Sequence, residues 1–173
     1  MKSREIERRW LLEGLPMELS ALPAKRIVQV YTKIEDEETI RYRKTTDGDR
    51  VSYTRTAKIP IAYGECEEDE TTCSADDFST ALVSGGPYII KDRYLYPWGG
   101  YVFEIDVYEI PIDHARKIGH GHDTLVIMEV ELPSIDTPIQ LPRLSVGPVE
   151  ITGDKKYSNA GLAKTFAEMR GSS

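Results

Sequence analysis

The sequence predicts an antiparallel β-structure, a closed barrel or a sandwich, with a few helices outside it. Three observations predict this. Strand-period alternation runs through most of the chain. Glycine-bearing tight turns join the strands where strand–helix–strand units would need long crossovers. Several strands carry two like charges at positions i and i+2, so one face of each strand has a single sign of charge.

In order, the strand segments are "EIERRWLL" (5–12), "KRIVQVYTK" (25–33), "ETIRYRKT" (38–45) and "RVSYTRTAKI" (50–59). "YIIKDRYLYP" (88–97), "YVFEIDVYEI" (101–110), "TLVIMEVEL" (124–132) and a short piece near "PVEITGD" (148–154) follow. "TDGD" (46–49) and "PWGG" (97–100) read as hairpin turns. "ECEEDETT" (65–72) reads as a solvated acidic linker. "SADDFSTALVSGG" (74–86) reads as a helix, with Ser74 as N-cap, acidic residues in the first turn and a glycine stop. A short helix is expected over 110–119 and a terminal one over 158–169, with "RGSS" fraying. Residues 1–173 are expected to form one domain, and seven or eight strands in such a length suit a barrel or a sandwich.

Composition narrows the function classes. The 173 residues are 40% hydrophobic and 29% charged, as expected of a soluble globular domain. No apolar run reaches membrane-spanning length, and "MKSREIERRW" lacks the apolar core of a signal peptide. A cytoplasmic protein is expected. The net charge of −7 argues against a nucleic-acid surface built on bulk positive charge, yet it leaves room for a local basic pocket. No membrane partner is expected. Cys66 and Cys73 fit no zinc pattern and no disulfide framework, and they read as ordinary thiols of a reducing compartment.

The like-charge pairs point to chemistry. Glu5 and Glu7 flank Ile6, Glu104 and Asp106 flank Ile105, and Glu129 and Glu131 flank Val130. Arg41 and Arg43 flank Tyr42, and Lys91 and Arg93 flank Asp92. A solvent-facing sheet would mix signs to relieve repulsion between neighbouring strands. Segregation by strand suits a face that gathers carboxylates on one side and cations on the other. A phosphate chain with its metal ion wants both: hard cations take carboxylate oxygens, and arginine and lysine clamp phosphate oxygens.

These residues resemble the CYTH superfamily, the triphosphate tunnel metalloenzymes. "EIERRW" is similar to the E-x-E-x-K signature. "IRYR" and "KDRY" look like its basic strands, "FEIDVYE" and "IMEVEL" like its acidic ones, and "GDKKYSNAGLA" like its closing motif. The likeness covers nearly the whole chain in the family's order. It implies an α+β fold: a closed eight-stranded antiparallel β-barrel, the triphosphate tunnel, with a few helices packed outside. It also implies metal-dependent hydrolysis of a terminal phosphoanhydride with Mg²⁺ or Mn²⁺. By resemblance Glu5, Glu7 and Arg9 are catalytic. Glu104, Asp106, Glu129 and Glu131 hold metal. Arg41, Arg43, Lys58, Lys91, Arg93 and Lys156 bind substrate.

Three departures from the family pattern bear on the mechanism. Arg9 stands where the signature has lysine. It keeps the charge but does not readily give up a proton, which argues against a general acid there. The fourth strand's "YTRTAK" sets Lys58 on the face of Thr54 and Thr56, with Arg55 entering only through a bulge. The arginine expected near the following acidic stretch is missing.

Inorganic triphosphate ranks first as substrate, because nothing in the sequence reads as a nucleobase pocket. Nucleoside triphosphates, thiamine triphosphate and adenylate cyclase activity follow in that order, and a non-catalytic polyphosphate- or nucleotide-binding barrel is the non-enzyme alternative. The partner is a triphosphate-containing small molecule, and the chain is a monomer or homodimer. Trp10 and Trp98 read as packing outside the barrel, and Tyr42, Tyr53 and Tyr94 as outer-face residues under helices. His114, His120 and His122 read as a polar connection. Removing Glu129 or Glu131 is expected to abolish turnover and to relieve carboxylate repulsion.

Overall fold

A computed structural model describes residues 2–111 and 124–171. Its strands are β1 (Lys2–Leu12), β2 (Ala24–Ile34), β3 (Thr39–Asp47), β4 (Arg50–Ala62), β5 (Glu65–Thr72), β6 (Tyr88–Trp98), β7 (Tyr101–Tyr108), β8 (Leu125–Glu131) and β9 (Pro148–Glu150). Helix α1 (Ala75–Val83) lies between β5 and β6, and α2 (Asn159–Gly171) ends the described chain. Among the described residues no helix is long and apolar enough to cross a membrane. Most of the helix expected over 110–119, and all three histidines, fall outside the described residues.

The strands run β5-β4-β3-β2-β6-β7-β8-β1, and β1 pairs back onto β5 to close an eight-stranded barrel. Every pairing is antiparallel. Closure divides β1 along its length. Residues 2–6 pair with β5, residues 7–12 pair with β8, and β9 extends the β5 side by pairing with Trp10–Leu12.

The acidic stretch 65–72 is a strand, β5, and not a linker. Its turn is set by Gly64, which has φ +68, a conformation that favours glycine. A Cβ there would also lie 2.7 Å from Ile135 Cδ1 and 2.9 Å from the Glu7 carbonyl oxygen. Strand β5 faces solvent on one side and the charged barrel interior on the other. Neither side is apolar, so the hydrophobic alternation that betrays most strands is missing. The other hairpins follow expectation. Gly48 has φ 57 in the β3–β4 turn, and Gly99 and Gly100 both have positive φ between β6 and β7.

Three apolar clusters hold the barrel. Outside β7, β8 and β1, Trp10, Phe103, Met128 and Val130 are buried, with Trp98 packed against them. Over β2 and β3, Phe78 and Ala81 of α1 cover Val30, Tyr42 and Tyr53. Ser74 caps α1 in a reciprocal box with Asp77. The third cluster lies at one end of the barrel, where Leu162, Ala163 and Phe166 of α2 meet Leu11, Ile89, Ile127 and Tyr108. These four strand residues are each two positions from Arg9, Lys91, Glu129 and Asp106. Along each strand the inward face therefore passes from apolar, where α2 packs, to charged.

Candidate active site

The charged rows enclose a cavity of about 410 Å³. Its acidic side comes from Glu5 and Glu7 on β1, Glu104 on β7, and Glu129 and Glu131 on β8. Its basic side comes from Arg41 and Arg43 on β3, Lys58 on β4 and Arg93 on β6. Glu68 and Glu70 of β5 and Asn159 of α2 complete the polar lining, and Val102 and Val130 are its apolar members.

Register accounts for the acidic wall. Glu104 stands directly opposite Glu129, and Glu7 directly opposite Glu131. Like charges facing each other across strands are destabilising unless a cation lies between them. Arg93 relieves the first pair: its Nη2 donates to Glu129 Oε1 at 2.7 Å, and its Nη1 donates to Glu104. It also forks onto Asp106, with Nε to Oδ1 and Nη2 to Oδ2 both at 2.7 Å. The second pair is compensated less directly: Arg9 is 3.8 Å from Glu7 Oε1 but donates its Nε to Glu129 Oε2 at 3.2 Å, and Lys58 acts on Glu7 through its charge.

Electrostatics follow from this asymmetry. Burial pushes the Glu7 carboxyl up from its ordinary value, and the Glu129 charge adds to the push. Burial raises Glu104 too, with Arg93 opposing and Glu129 assisting. Burial also acts on Glu129, but Arg93 and Arg9 outweigh it and hold its carboxyl well below the usual range. We expect Glu7→Gln to raise Tm in EDTA at pH 7, by about 2–4 °C for each kcal/mol of repulsion relieved. A raised folded pKa means that wild type recovers this stability by taking up a proton as pH falls toward the unfolded value of about 4.3. The variant's advantage should therefore shrink between pH 7 and pH 4 in thermal melts.

On the basic side, Lys58 Nζ donates a hydrogen bond to Glu5 and forms an ion pair with Glu68, 2.8 Å from its Oε2. Thr56 Oγ1 donates to Glu70 Oε2 at 2.8 Å. Arg41 is 3.8 Å from Glu68, and its Nε is buried without a hydrogen-bond partner among the described residues. Arg43 Nε donates to Gln29 Oε1 at 3.0 Å, a neutral partner. Burial, then Arg41, then Arg93 pull the Arg43 guanidinium down to about 10.

Nine of the sequence-identified site residues thus meet at one cavity: Glu5, Glu7, Arg41, Arg43, Lys58, Arg93, Glu104, Glu129 and Glu131. Lys58, and not Arg55, points inward from β4. Arg9 is buried behind the lining between Glu7 and Glu129. Lys91 and Asp106 are 0% exposed and lie in the wall. Both Asp106 oxygens accept hydrogen bonds from Arg93, and Oδ2 also accepts from Lys91. Lys156 is not brought to the cavity. It is exposed, with Nζ 5.2 Å from the Tyr157 ring centroid. Glu68, Glu70, Gln29 and Asn159 escaped the sequence reading. The hairpin glycine at 64 was the available signal for the first two.

Among the described residues, one trio of metal-capable donors has all its ligand atoms within 4.8 Å of one another: Glu5, Cys66 and Glu68. Cys66 Sγ is 3.4 Å from Glu5 Oε2, and burial pushes the thiol up to about 12, so it stays protonated at neutral pH. Lys58 already spans both carboxylates of the trio. The opposed pairs on β1, β7 and β8 are the stronger fit to a hard cation, since all their donors are carboxylate oxygens.

No family model and no curated protein sequence matches the chain. Solved structures do. The crystal structure of the inorganic triphosphatase NE1496 is 26% identical, covers 91% of this chain and 96% of its own, and superposes with a TM-score of 0.53. The PH1012 protein from Pyrococcus horikoshii OT3 is 15% identical, covers 76% of this chain and 80% of its own, with a TM-score of 0.52. A conserved hypothetical protein from Pyrococcus furiosus is 18% identical, covers 79% and 82%, with a TM-score of 0.51. The closed eight-stranded barrel with its charged interior, and its likeness to NE1496 along nearly the whole of both chains, give this protein the triphosphate-tunnel fold of the CYTH superfamily.

Proposed function

We propose that this protein hydrolyses the terminal phosphoanhydride of inorganic triphosphate, using Mg²⁺ or Mn²⁺. One observation carries the choice of substrate: among the described residues the cavity lining holds opposed acidic and basic walls and no aromatic ring. A bare phosphate chain is held by charge alone, whereas a nucleobase or thiazole calls for a stacking or apolar surface. Trp10 and Trp98, the sequence's two tryptophans, pack in the outer cluster instead. The likeness to an inorganic triphosphatase supports the same reading.

Arg41, Arg43, Lys58 and Arg93 grip the phosphate oxygens and spread the charge that builds on them during transfer. Lys58 exchanges Glu5 and Glu68 for phosphate as substrate enters. Glu104, Glu129 and Glu131 would hold the divalent cation, which would supply Lewis-acid stabilisation of the phosphate oxygens. Glu5 and Glu7 orient a water in line with the terminal phosphorus. The water oxygen bonds to that phosphorus, the bridging P–O bond breaks, and orthophosphate and pyrophosphate result. Glu7, its proton affinity raised by burial, accepts the water's proton. Arg9 stays protonated and fixes Glu7 and Glu129. Asp106 and Lys91 act from behind the lining, with Asp106 holding Arg93 in its fork.

The test is phosphate release from triphosphate, longer polyphosphate, ATP, GTP and thiamine triphosphate, with Mg²⁺, Mn²⁺ or EDTA and a check for cyclic nucleotide. Triphosphate should turn over fastest. EDTA should abolish release and lower Tm, because cation binding to the folded state stabilises it, and added Mg²⁺ or Mn²⁺ should restore both. Absence of release from every compound, alongside tight triphosphate binding, would make the tunnel a binding module.

A further inference from the structure

We infer that Asn159 contacts the substrate: its side-chain amide NH₂ is a phosphate donor at the end of the tunnel nearest α2. This rests on the triphosphatase reading. Asn159 is the first residue of α2, and it lines the tunnel although it lies far in sequence from every strand of the barrel. Its Oδ1 accepts two hydrogen bonds from within the wall, from Lys91 Nζ at 2.9 Å and from Tyr108 Oη at 2.8 Å.

Those two bonds fix the amide. Lys91 Nζ and Tyr108 Oη both donate to Oδ1, which turns the NH₂ away from them. Lys91 is fully buried, and its only other hydrogen-bond partner among the described residues is Asp106, so it has no reason to release the oxygen. Nδ2 has no partner among the described residues, and it is not among the buried unpaired atoms. A neutral donor pair on a residue of the tunnel lining, held in one orientation by its oxygen's partners, is a preorganised phosphate contact. The positive end of the α2 dipole lies at the same residue and adds to the field.

This reassigns the closing segment. Its exposed lysine, Lys156, stands outside the cavity, and the residue it delivers to the substrate is the asparagine three positions later. Lys91, placed on sequence grounds as a phosphate ligand, becomes a positioning residue that acts through Asn159.

Asn159→Asp is the informative variant. A carboxylate still accepts from Lys91 and Tyr108, so the wall is kept, but it presents an anionic oxygen to the phosphate. Inorganic triphosphate is titrated against wild type, Asn159→Asp and Asn159→Ala, reading KM for phosphate release and the rise in Tm on adding triphosphate. We expect KM to increase at least tenfold in Asn159→Asp and severalfold in Asn159→Ala, with the triphosphate-induced rise in Tm reduced in both. Wild-type KM and an undiminished rise in Asn159→Ala would overturn the inference, whether or not Asn159→Asp folds. Failure of wild type to release phosphate would defeat the triphosphatase reading separately, and the thermal shift would still decide whether Asn159 meets the anion.

Discussion

Glu129→Gln is expected to lower kcat/KM by roughly 10²–10³, the usual cost of removing one preorganised electrostatic group, and to lower stability at neutral pH. The second effect reverses what its sequence suggests. Two carboxylates two apart on an apolar strand look like stored repulsion, to be relieved by neutralising either one. The barrel instead surrounds Glu129 with Arg93 and Arg9, which are 8% and 5% exposed. Removing the counter-charge leaves two buried guanidinium groups undercompensated. Breaking a buried pair costs about 3–5 kcal/mol. Arg93 retains Asp106 and Glu104, and Arg9 retains Glu7, so the loss falls toward the lower figure.

The sign can be checked through pH. Glu129's folded pKa lies below its unfolded one. Its contribution is present above the unfolded value of about 4.3 and is lost as pH falls through the folded value. Urea melts from pH 7 downward should show the gap between Glu129→Gln and wild type closing in acid. Glu7→Gln should move stability the other way at pH 7. Equal stabilisation by both substitutions would show that the acidic wall behaves as one repulsive cluster and that the arginines do not distinguish its members.

What the sequence displayed and what it hid divide along a physical line. A strand is legible when its two faces differ in polarity, as in β6, where Ile89 and Lys91 alternate with partly exposed neighbours, or in β8, where Val130 separates two glutamates. β5 has charge on both faces and so resembled a linker, although Glu68 and Glu70 complete the tunnel. Charge pairs revealed which side chains share a face, because that depends only on the period of two. They did not reveal which members reach the cavity. Asp106 and Lys91 share faces with Glu104 and Arg93 yet lie fully buried, since depth along the barrel is set by where α2 packs. Asn159 and Gln29 were hidden for another reason. Neutral amides carry no pattern, and their roles appear only when their hydrogen-bond partners are known.

Arg43→Gln is expected to weaken triphosphate binding by about 10–100-fold while leaving the unliganded protein as stable as wild type or more so. Lys58 and Arg93 each have at least two carboxylates in the unliganded tunnel, and Arg41 has Glu68 within 4 Å. Arg43 is bonded to the amide of Gln29; burial first, then the charges of Arg41 and Arg93, pull its guanidinium down, with Glu70 opposing them. A guanidinium pulled down chiefly by burial is a positive charge that folding disfavours. Glutamine removes the charge and can still donate to Gln29 Oε1, so the unliganded fold loses little and sheds a repulsion. An anion in the tunnel relieves the same repulsion, and a charged hydrogen bond of about 1.5–3 kcal/mol then goes entirely into binding. On this expectation the desolvated charge of Arg43 costs stability and returns as affinity for an anion, the usual opposition between stability and function at a preorganised site. Calorimetric titration with triphosphate and thermal melts without ligand measure the two quantities separately. A variant that binds as tightly as wild type, or that melts well below it, would place the least compensated charge elsewhere in the barrel.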